Sequence, residues 1–335
     1  MSDLIEYKND LLAFFLSLVL SVVLGFIIIP LLRRLKAGQN VLGYVEKHAG
    51  KAGTTTMGGF IFALPVLLLL PIFSKGSNSL SWISLLVAFA FLIVGFLDDF
   101  IKIKSGNNQG LTAKQKIIFQ AIISLITGIF AYFRGYTHFF IPFFNLYLDF
   151  GFLGCVLIFF VFLATTNCVN LTDGLDGLAG GVSYLYFMLI YIILHLQIKL
   201  FSNNFVSVDE AKNLALLAFI QSGALIGFLF YNSYSAKVFM GDTGSLYIGG
   251  LIAVLSIFSS NTLFIPILGI MFVMSGISVI VQVIVFKKSG KRVFLMAPLH
   301  HHFEYKGHSE SKIVFVYKFI TLLFGIICIL SIIRG

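Results

Sequence analysis

Apolar residues run through this chain in long blocks, and the blocks are separated by short polar stretches rather than alternating with them. A helix that crosses a bilayer needs roughly 20 mostly apolar residues. By that measure ten stretches qualify as spans: residues 11–32, 57–73, 80–97, 116–133, 152–164, 178–196, 214–231, 245–258, 263–286 and 313–333. The fifth and eighth are short, so their ends are drawn least sharply. The pattern predicts an all-α polytopic membrane protein of about ten transmembrane helices. No heptad array or low-complexity linker marks a second unit, so residues 1–335 read as a single integral-membrane domain.

Five polar islands interrupt the apolar blocks, at residues 51–59, 98–102, 167–177, 232–245 and 298–304. Once the spans are drawn, all five fall on the same side of the membrane. That convergence predicts an active-site cleft at one face. The distribution of Lys and Arg says which face it is. One set of loops carries Arg33, Arg34, Lys36, Lys47, Lys51, Lys102, Lys104, Lys114, Lys116, Lys237, Lys287, Lys288, Lys291, Arg292, Lys306 and Lys312. The opposite set has only Lys8, Lys75, Arg134, Lys199, Lys212 and Arg334. Short basic loops stay in the cytoplasm, so the islands face the cytoplasm, and an even number of spans leaves both termini outside. The N-terminus has no small-residue cleavage site and runs into an apolar stretch longer than a signal-peptide core, which predicts a retained first span.

Composition agrees with this reading and narrows the partners. The chain of 335 residues is 59% apolar and 11% charged, against about 25% charged residues in soluble domains. Its net charge of +9 lies mainly on the cytoplasmic face, where it suits anionic headgroups or a phosphorylated substrate. Nucleic acid is a poor match, because there is no soluble basic domain to hold it. The three cysteines, Cys155, Cys168 and Cys328, are odd in number and lie in or beside apolar spans, so no disulfide framework is indicated.

The islands carry residue types suited to phosphate and metal chemistry, and each also has a plainer reading. Asp98 and Asp99 end an apolar run, where ionisable groups are costly and usually mark a site; the alternative is a solvated helix end. Lys102, one helical turn after Asp98, is either a helical ion pair or a phosphate ligand. Asn167, Asn170, Asp173 and Asp176 recur every third residue, which places pairs on one face of a helix or tight turn. No Lys or Arg lies between residues 167 and 181 to neutralise them. Asp242 precedes an apolar helix and reads equally as an N-cap or as a ligand for a hard cation such as magnesium, which favours one or two carboxylates with substrate phosphates. His300, His301 and His302 are consecutive, so they do not converge as chelating i, i+4 pairs do. They suit binding of phosphate or nucleotide, with proton transfer near neutral pH. Lys51, in a glycine- and threonine-rich stretch that includes Thr56, lacks the P-loop pattern but could hold phosphate or a nucleobase. Gln282, in an apolar stretch, is a polar helix contact or a cavity ligand.

Taken together, GGF after KAGTTTM, FLDDFIKI, GLTAKQK, NLTDGLDGLA, VFMGDTGSL and MAPLHHHFE resemble the phospho-N-acetylmuramoyl-pentapeptide transferases. These are a branch of the polyprenyl-phosphate N-acetylhexosamine-1-phosphate transferase superfamily, also grouped as glycosyltransferase family 4. The resemblance runs from about Arg34 to Lys312. The histidine triplet followed by Phe303 and Glu304 looks like the muramoyl branch rather than the branch using N-acetylglucosamine donors, which is the alternative reading. The resemblance implies Mg2+-dependent transfer of phospho-MurNAc-pentapeptide from UDP-MurNAc-pentapeptide to undecaprenyl phosphate, giving lipid I and UMP. This is the first membrane step of peptidoglycan synthesis, at the bacterial inner (cytoplasmic) membrane. It assigns Asp242 as the magnesium ligand, Asp98 and Asp99 as the acidic pair near metal and lipid phosphate, and Lys102 and Lys114 as cations near the reacting phosphates. Lys51, Asp176, Asn232 and Phe239 would serve the uridine, with Phe239 stacking. Asn170, Asp173, Gln282 and His301 would complete the cavity, flanked by Thr56, His300 and His302, with His301 counted among the catalytic groups. A homodimer is a family-level expectation. The chain departs from the family pattern at Thr55, where proline is common, over residues 41–50, and after Gly307, where a tryptophan is missing.

Two other classes compete. A secondary transporter would also hold intramembrane carboxylates and broken helices, but at the midplane and with an inverted repeat, neither of which the sequence suggests. A prenyl transferase would need DDxxD, and Lys102 stands where its last aspartate should be.

Overall fold

A computed structural model describes residues 2–35, 54–106, 109–201 and 206–333. Twelve helices account for nearly all of the regular structure among them: α1 (Ser2–Arg34), α2 (Gly59–Phe73), α3 (Ser79–Ser105), α4 (Ala113–Phe133), α5 (Gly151–Thr172), α6 (Leu178–Leu200), α7 (Val208–Asn232), α8 (Gly241–Phe258), α9 (Ile265–Leu268), α10 (Ile270–Ser289), α11 (Leu299–Tyr305) and α12 (Glu310–Ile333). Nine of these are long and apolar enough to cross a membrane. The chain is therefore an all-α, multi-pass membrane protein, as its apolar blocks predict.

The expected tenth span is α2, which has only 15 residues. Its status follows from direction. Ser17 of α1 donates to the Ile220 carbonyl of α7 at 2.9 Å, and Tyr231 of α7 donates to the Val22 carbonyl at 2.7 Å. Early residues meet early and late meet late, so α1 and α7 run parallel. Five helices, α2 among them, lie between the two, an odd number that agrees with their running parallel.

Three further features differ from the sequence expectation. The stretch 263–286 is not one helix. A single 3-10 turn (Thr262–Phe264) leads into α9, and Gly269 separates α9 from α10. Pro266 in the first turn of α9 removes a backbone donor, and glycine then weakens the helix further. The fifth helix runs on to Thr172 instead of stopping near residue 164, so Asn167 and Asn170 are helical. Between α4 and α5 the chain forms a hairpin of two antiparallel strands, β1 (His138–Ile141) and β2 (Leu146–Asp149), with His138 opposite Asp149 and Ile141 opposite Leu146. The runs FFI and LYL are strong β-formers, in a connection between spans 116–133 and 152–164 to which hydropathy assigns no element.

At the centre stands α8, buried from Thr243 to Phe258. Beside it α7 is buried along most of its length. The outer helices α1, α4, α10 and α12 present rows of exposed Leu, Ile and Phe, which is the surface a membrane protein turns to lipid. A chain with polar groups at the ends of its helices and apolar side chains between them has only one way to satisfy both.

Candidate active site

The N-terminus of α8 and the C-terminal part of α3 build the centre of the site together. They approach closely because α3 has Gly95 where its neighbour is the Asp242 backbone; a methyl group there would collide with the Asp242 carbonyl. Three and four residues on, Asp98 and Asp99 reach the first turn of α8. Asp99 accepts from the Thr243 amide at 2.9 Å, the Thr243 hydroxyl at 2.7 Å and the Asp242 amide at 3.3 Å. It thus caps α8 from another helix, supplying acceptors that Met240, at the N-cap position, cannot. Gly241 adopts φ +69°, and any side chain there would occupy the space of the Asp99 carboxylate and the Thr56 hydroxyl.

Asp98 is completely buried. One oxygen accepts from the Leu111 amide at 2.8 Å, and the other pairs with Lys102 at 2.5 Å and Lys116 at 3.0 Å. Both lysines also reach Asp242, at 3.3 Å and 2.5 Å, and Lys102 stands 3.7 Å from Asp99. Carboxylate oxygens of Asp98, Asp99 and Asp242 lie within 4.8 Å of one another. Asn170 of α5 donates to Asp242 at 2.8 Å and to Ser245 at 2.8 Å, which closes the ring. Three carboxylates against two ammonium groups leave one formal negative charge at the site. Asp242, Lys102 and Lys116 are partly open to the outside while Asp98 and Asp99 are not, so the open groups meet a ligand and the closed pair holds them in place. The donor set consists of hard oxygens, and it fits a hard divalent cation.

A second group of residues joins the loops around this centre. The 54–59 segment lies along 237–240: Phe239 donates its amide to the Thr55 carbonyl at 2.8 Å, and Gly58 and Gly59 donate to the carbonyls of Phe239 and Met240. This pairing holds Phe239, half-buried, beside the start of α8. Asn232 accepts from the Gly177 amide at 3.2 Å and donates to the Val238 carbonyl at 2.9 Å. Asp176 accepts from the Ala236 amide at 3.0 Å. Asp173 lies just past α5, where burial, followed by the charges of Asp242, Asp99 and Asp176, pushes its carboxyl well above the usual carboxylate range.

Residues 298–305 come to the same end of the bundle. His300 is fully buried and packs on Gly174. His301 faces Glu304 at 2.9 Å. His302 accepts from the Leu295 amide at 3.1 Å, and its proton is held less tightly than usual through burial and the charge of Lys306. Gln282 accepts from the amides of Val293 and Phe294 and donates to the Phe294 carbonyl. Gln282 and His302 thus brace the loop between α10 and α11.

The structure therefore brings together Asp98, Asp99, Lys102, Asn170, Asp173 and Asp242, with Thr56, Asp176, Asn232 and Phe239 beside them. Lys51 lies outside the described residues. Lys114 is exposed on the outer face of α4, and the lysine that reaches the carboxylates is Lys116. Sequence reasoning listed Lys116 only as a loop charge and overlooked Thr243 and Ser245. A signal for Lys116 was present. Thr112 and Gln115 form a capping box, which fixes the phase of α4, and Lys116 then falls in line with the buried polar positions Gln120, Ser124 and Thr127.

Comparison with known proteins bears on this arrangement. Residues 81–260 match the model of glycosyl transferase family 4. A phospho-N-acetylmuramoyl-pentapeptide-transferase of Clostridium botulinum is 43% identical over 320 residues, covering 94% of each chain. One from Clostridium perfringens is 41% identical over 321 residues, covering 96% of this chain and 98% of the relative. One from Oceanobacillus iheyensis is 40% identical over 323 residues, covering 95% and 96%.

Proposed function

Because this chain belongs to the phospho-N-acetylmuramoyl-pentapeptide transferases of glycosyl transferase family 4, we propose that it transfers phospho-MurNAc-pentapeptide from UDP-MurNAc-pentapeptide to undecaprenyl phosphate. The products are lipid I and UMP. The observation that carries the reading is the convergence of Asp98, Asp99 and Asp242 with Lys102, Lys116 and Asn170 at one end of the bundle. A phosphate oxygen of the lipid attacks the phosphorus that bears the sugar, and the bond to the bridging oxygen breaks, so UMP leaves with that oxygen. Both partners are anions, and the first task of the protein is to neutralise them.

Lys102 and Lys116 serve that task. Each is held by the buried Asp98 and by Asp242 yet remains partly open, so each can turn from its carboxylate to a phosphate oxygen. Asp98, enclosed by two ammonium groups and an amide, is better suited to orienting the lysines than to removing a proton. The lipid phosphate is already a nucleophilic anion, so direct attack needs no base. Asp99 acts through its hold on the start of α8, which fixes Asp242. Mg2+ would be held by Asp242, with Asp98 and Asp99 at hand, and when bound it supplies further charge neutralisation of diphosphate oxygens. On the uridine side, Phe239 offers a ring, and Asp176 and Asn232 keep its loop in place. The basic loops adjoining this end favour a cytoplasmic location for the site, in the bacterial inner membrane, with both termini outside.

The test is UMP release by the purified protein given both substrates, with and without magnesium and beside Asp242→Asn. Release that needs metal and both substrates, and that falls at least about 100-fold in the variant, is the expected result. UMP appearing only with UDP-N-acetylglucosamine as donor would move the chain to the neighbouring branch.

A further inference from the structure

At the end of the bundle opposite the carboxylates, the hairpin between α4 and α5 is unusual for a connection between spans. From Phe139 to Leu148 it carries no charged residue. The first strand belongs to the core: Phe139 and Phe140, on opposite faces of the hairpin, are both buried, and Phe140 packs against Tyr147, Phe201 and Phe264. The turn and most of the second strand are exposed. Phe143 and Phe144 at the tip are 58% and 77% exposed, with Leu146 and Leu148 beside them. Phe143 even adopts φ +71°, a left-handed conformation that a bulky residue rarely takes. Water is a poor neighbour for such a surface.

The hairpin does not project away from the bundle. The amide of Phe140 donates to the Ser260 carbonyl just past α8, and the Asn145 side chain at the tip donates to the Ile332 carbonyl in the last turn of α12. It therefore lies across the helix ends, running from α4 and α5 to α12. Its depth follows from helix rise. From Lys116 to Phe133 along α4, and from Asn170 back to Phe152 along α5, the distance is about 26 Å, within the roughly 30 Å of a hydrocarbon core. Phe133 and Phe152, which flank the hairpin, are 79% and 70% exposed. At the other end of the hairpin, Leu330 and Ile333 of α12 are exposed too. The exposed apolar side chains of the hairpin thus lie between lipid-facing residues of α4 and α5 at one end and of α12 at the other.

We propose that the β1–β2 hairpin is a membrane-interface anchor: its Phe143–Phe144 tip, with Leu146 and Leu148, lies in the boundary between headgroups and acyl chains of the leaflet opposite the active site. The occupant is lipid: exposed Phe and Leu side chains are those that an interfacial segment buries at the headgroup and acyl boundary. The anchor secures the far ends of the two helices that deliver Lys116 and Asn170 to Asp242.

The chain has a single tryptophan, Trp82, so a reporter is simple to place. Trp82→Phe supplies a silent background, and Phe144→Trp or, separately, Leu146→Trp is added and reconstituted in vesicles, with UMP release serving as the check on folding. We expect blue-shifted emission, loss of most of its intensity to lipids brominated high on the acyl chain, and protection from aqueous iodide. Red-shifted emission open to iodide and unaffected by bromolipid would overturn the anchor in favour of solvent exposure. Emission shielded from both quenchers would overturn it in favour of a protein partner or a second copy of the chain.

Discussion

Lys114 and Lys116 are two residues apart on a helix, so their side chains point about 200° from each other. Only one can face α8, and the buried row of Gln120, Ser124 and Thr127 selects Lys116. Replacing Lys116 with Met should cut the rate of UMP release by about 100-fold, because a charge aimed at developing anions is lost. Lys114→Met should change it by less than about twofold, as expected for an exposed side chain. Equal losses in the two variants would place the functional lysine elsewhere. Asp173 makes a different demand. Its carboxyl is held well above the usual range in the folded protein, because it is half-buried and largely desolvated and stands near Asp242, Asp99 and Asp176. The folded state thus holds its proton more tightly than the unfolded chain does. The associated stability is present below about pH 4, the ordinary aspartate value, and is lost as pH rises towards the folded value. Asp173→Asn should therefore raise the thermal unfolding temperature of the metal-free protein at pH 7, with the gain disappearing near pH 4. A gain that stayed the same at both pH values would deny this charge strain.

Among the elements, the pairing of α3 with α8 carries most of the catalytic geometry. Gly95 permits their approach, and the carboxylate of Asp99 closes it by capping α8. Gly95→Ala would drive a methyl group into the Asp242 backbone. Overpacking of this kind costs about 1–3 kcal/mol, and here the displaced atoms belong to a site residue. We expect UMP release to fall more than tenfold while the helical content measured by circular dichroism is retained; unchanged turnover would mean that α8 tolerates a shift. Helix type was legible in the sequence because apolar blocks of this length leave few alternatives. The break at Gly269 and the extension of α5 to Thr172 were not, because hydropathy reports the depth of a residue and is silent on backbone bonding. The hairpin, which falls between the spans at 116–133 and 152–164, was not legible for the same reason: the apolarity of FFI and LYL does not report strand pairing.

Across the whole molecule, the convergence of the polar islands was legible, since each sits at the end of an apolar block and the parity of passes brings those ends together. Asp98, Asp99 and Asp242 stood out because carboxylates are costly in such surroundings. The partners of each were not legible. That Asp99 would cap a helix more than a hundred residues away, or that Gln282 would brace a loop, depends on packing that no local pattern encodes. One feature of the architecture reaches beyond the protein itself. With 15 residues, α2 rises about 22 Å, short of the roughly 30 Å of an average hydrocarbon core. Its outer half faces outward through Leu67, Leu68 and Ile72, and its inner end adjoins the carboxylates. A stretch this short would be accommodated by drawing the two leaflets together beside α2. A phosphate headgroup drifting along the leaflet would slope down towards Asp242 instead of having to be lifted out of the membrane to meet it.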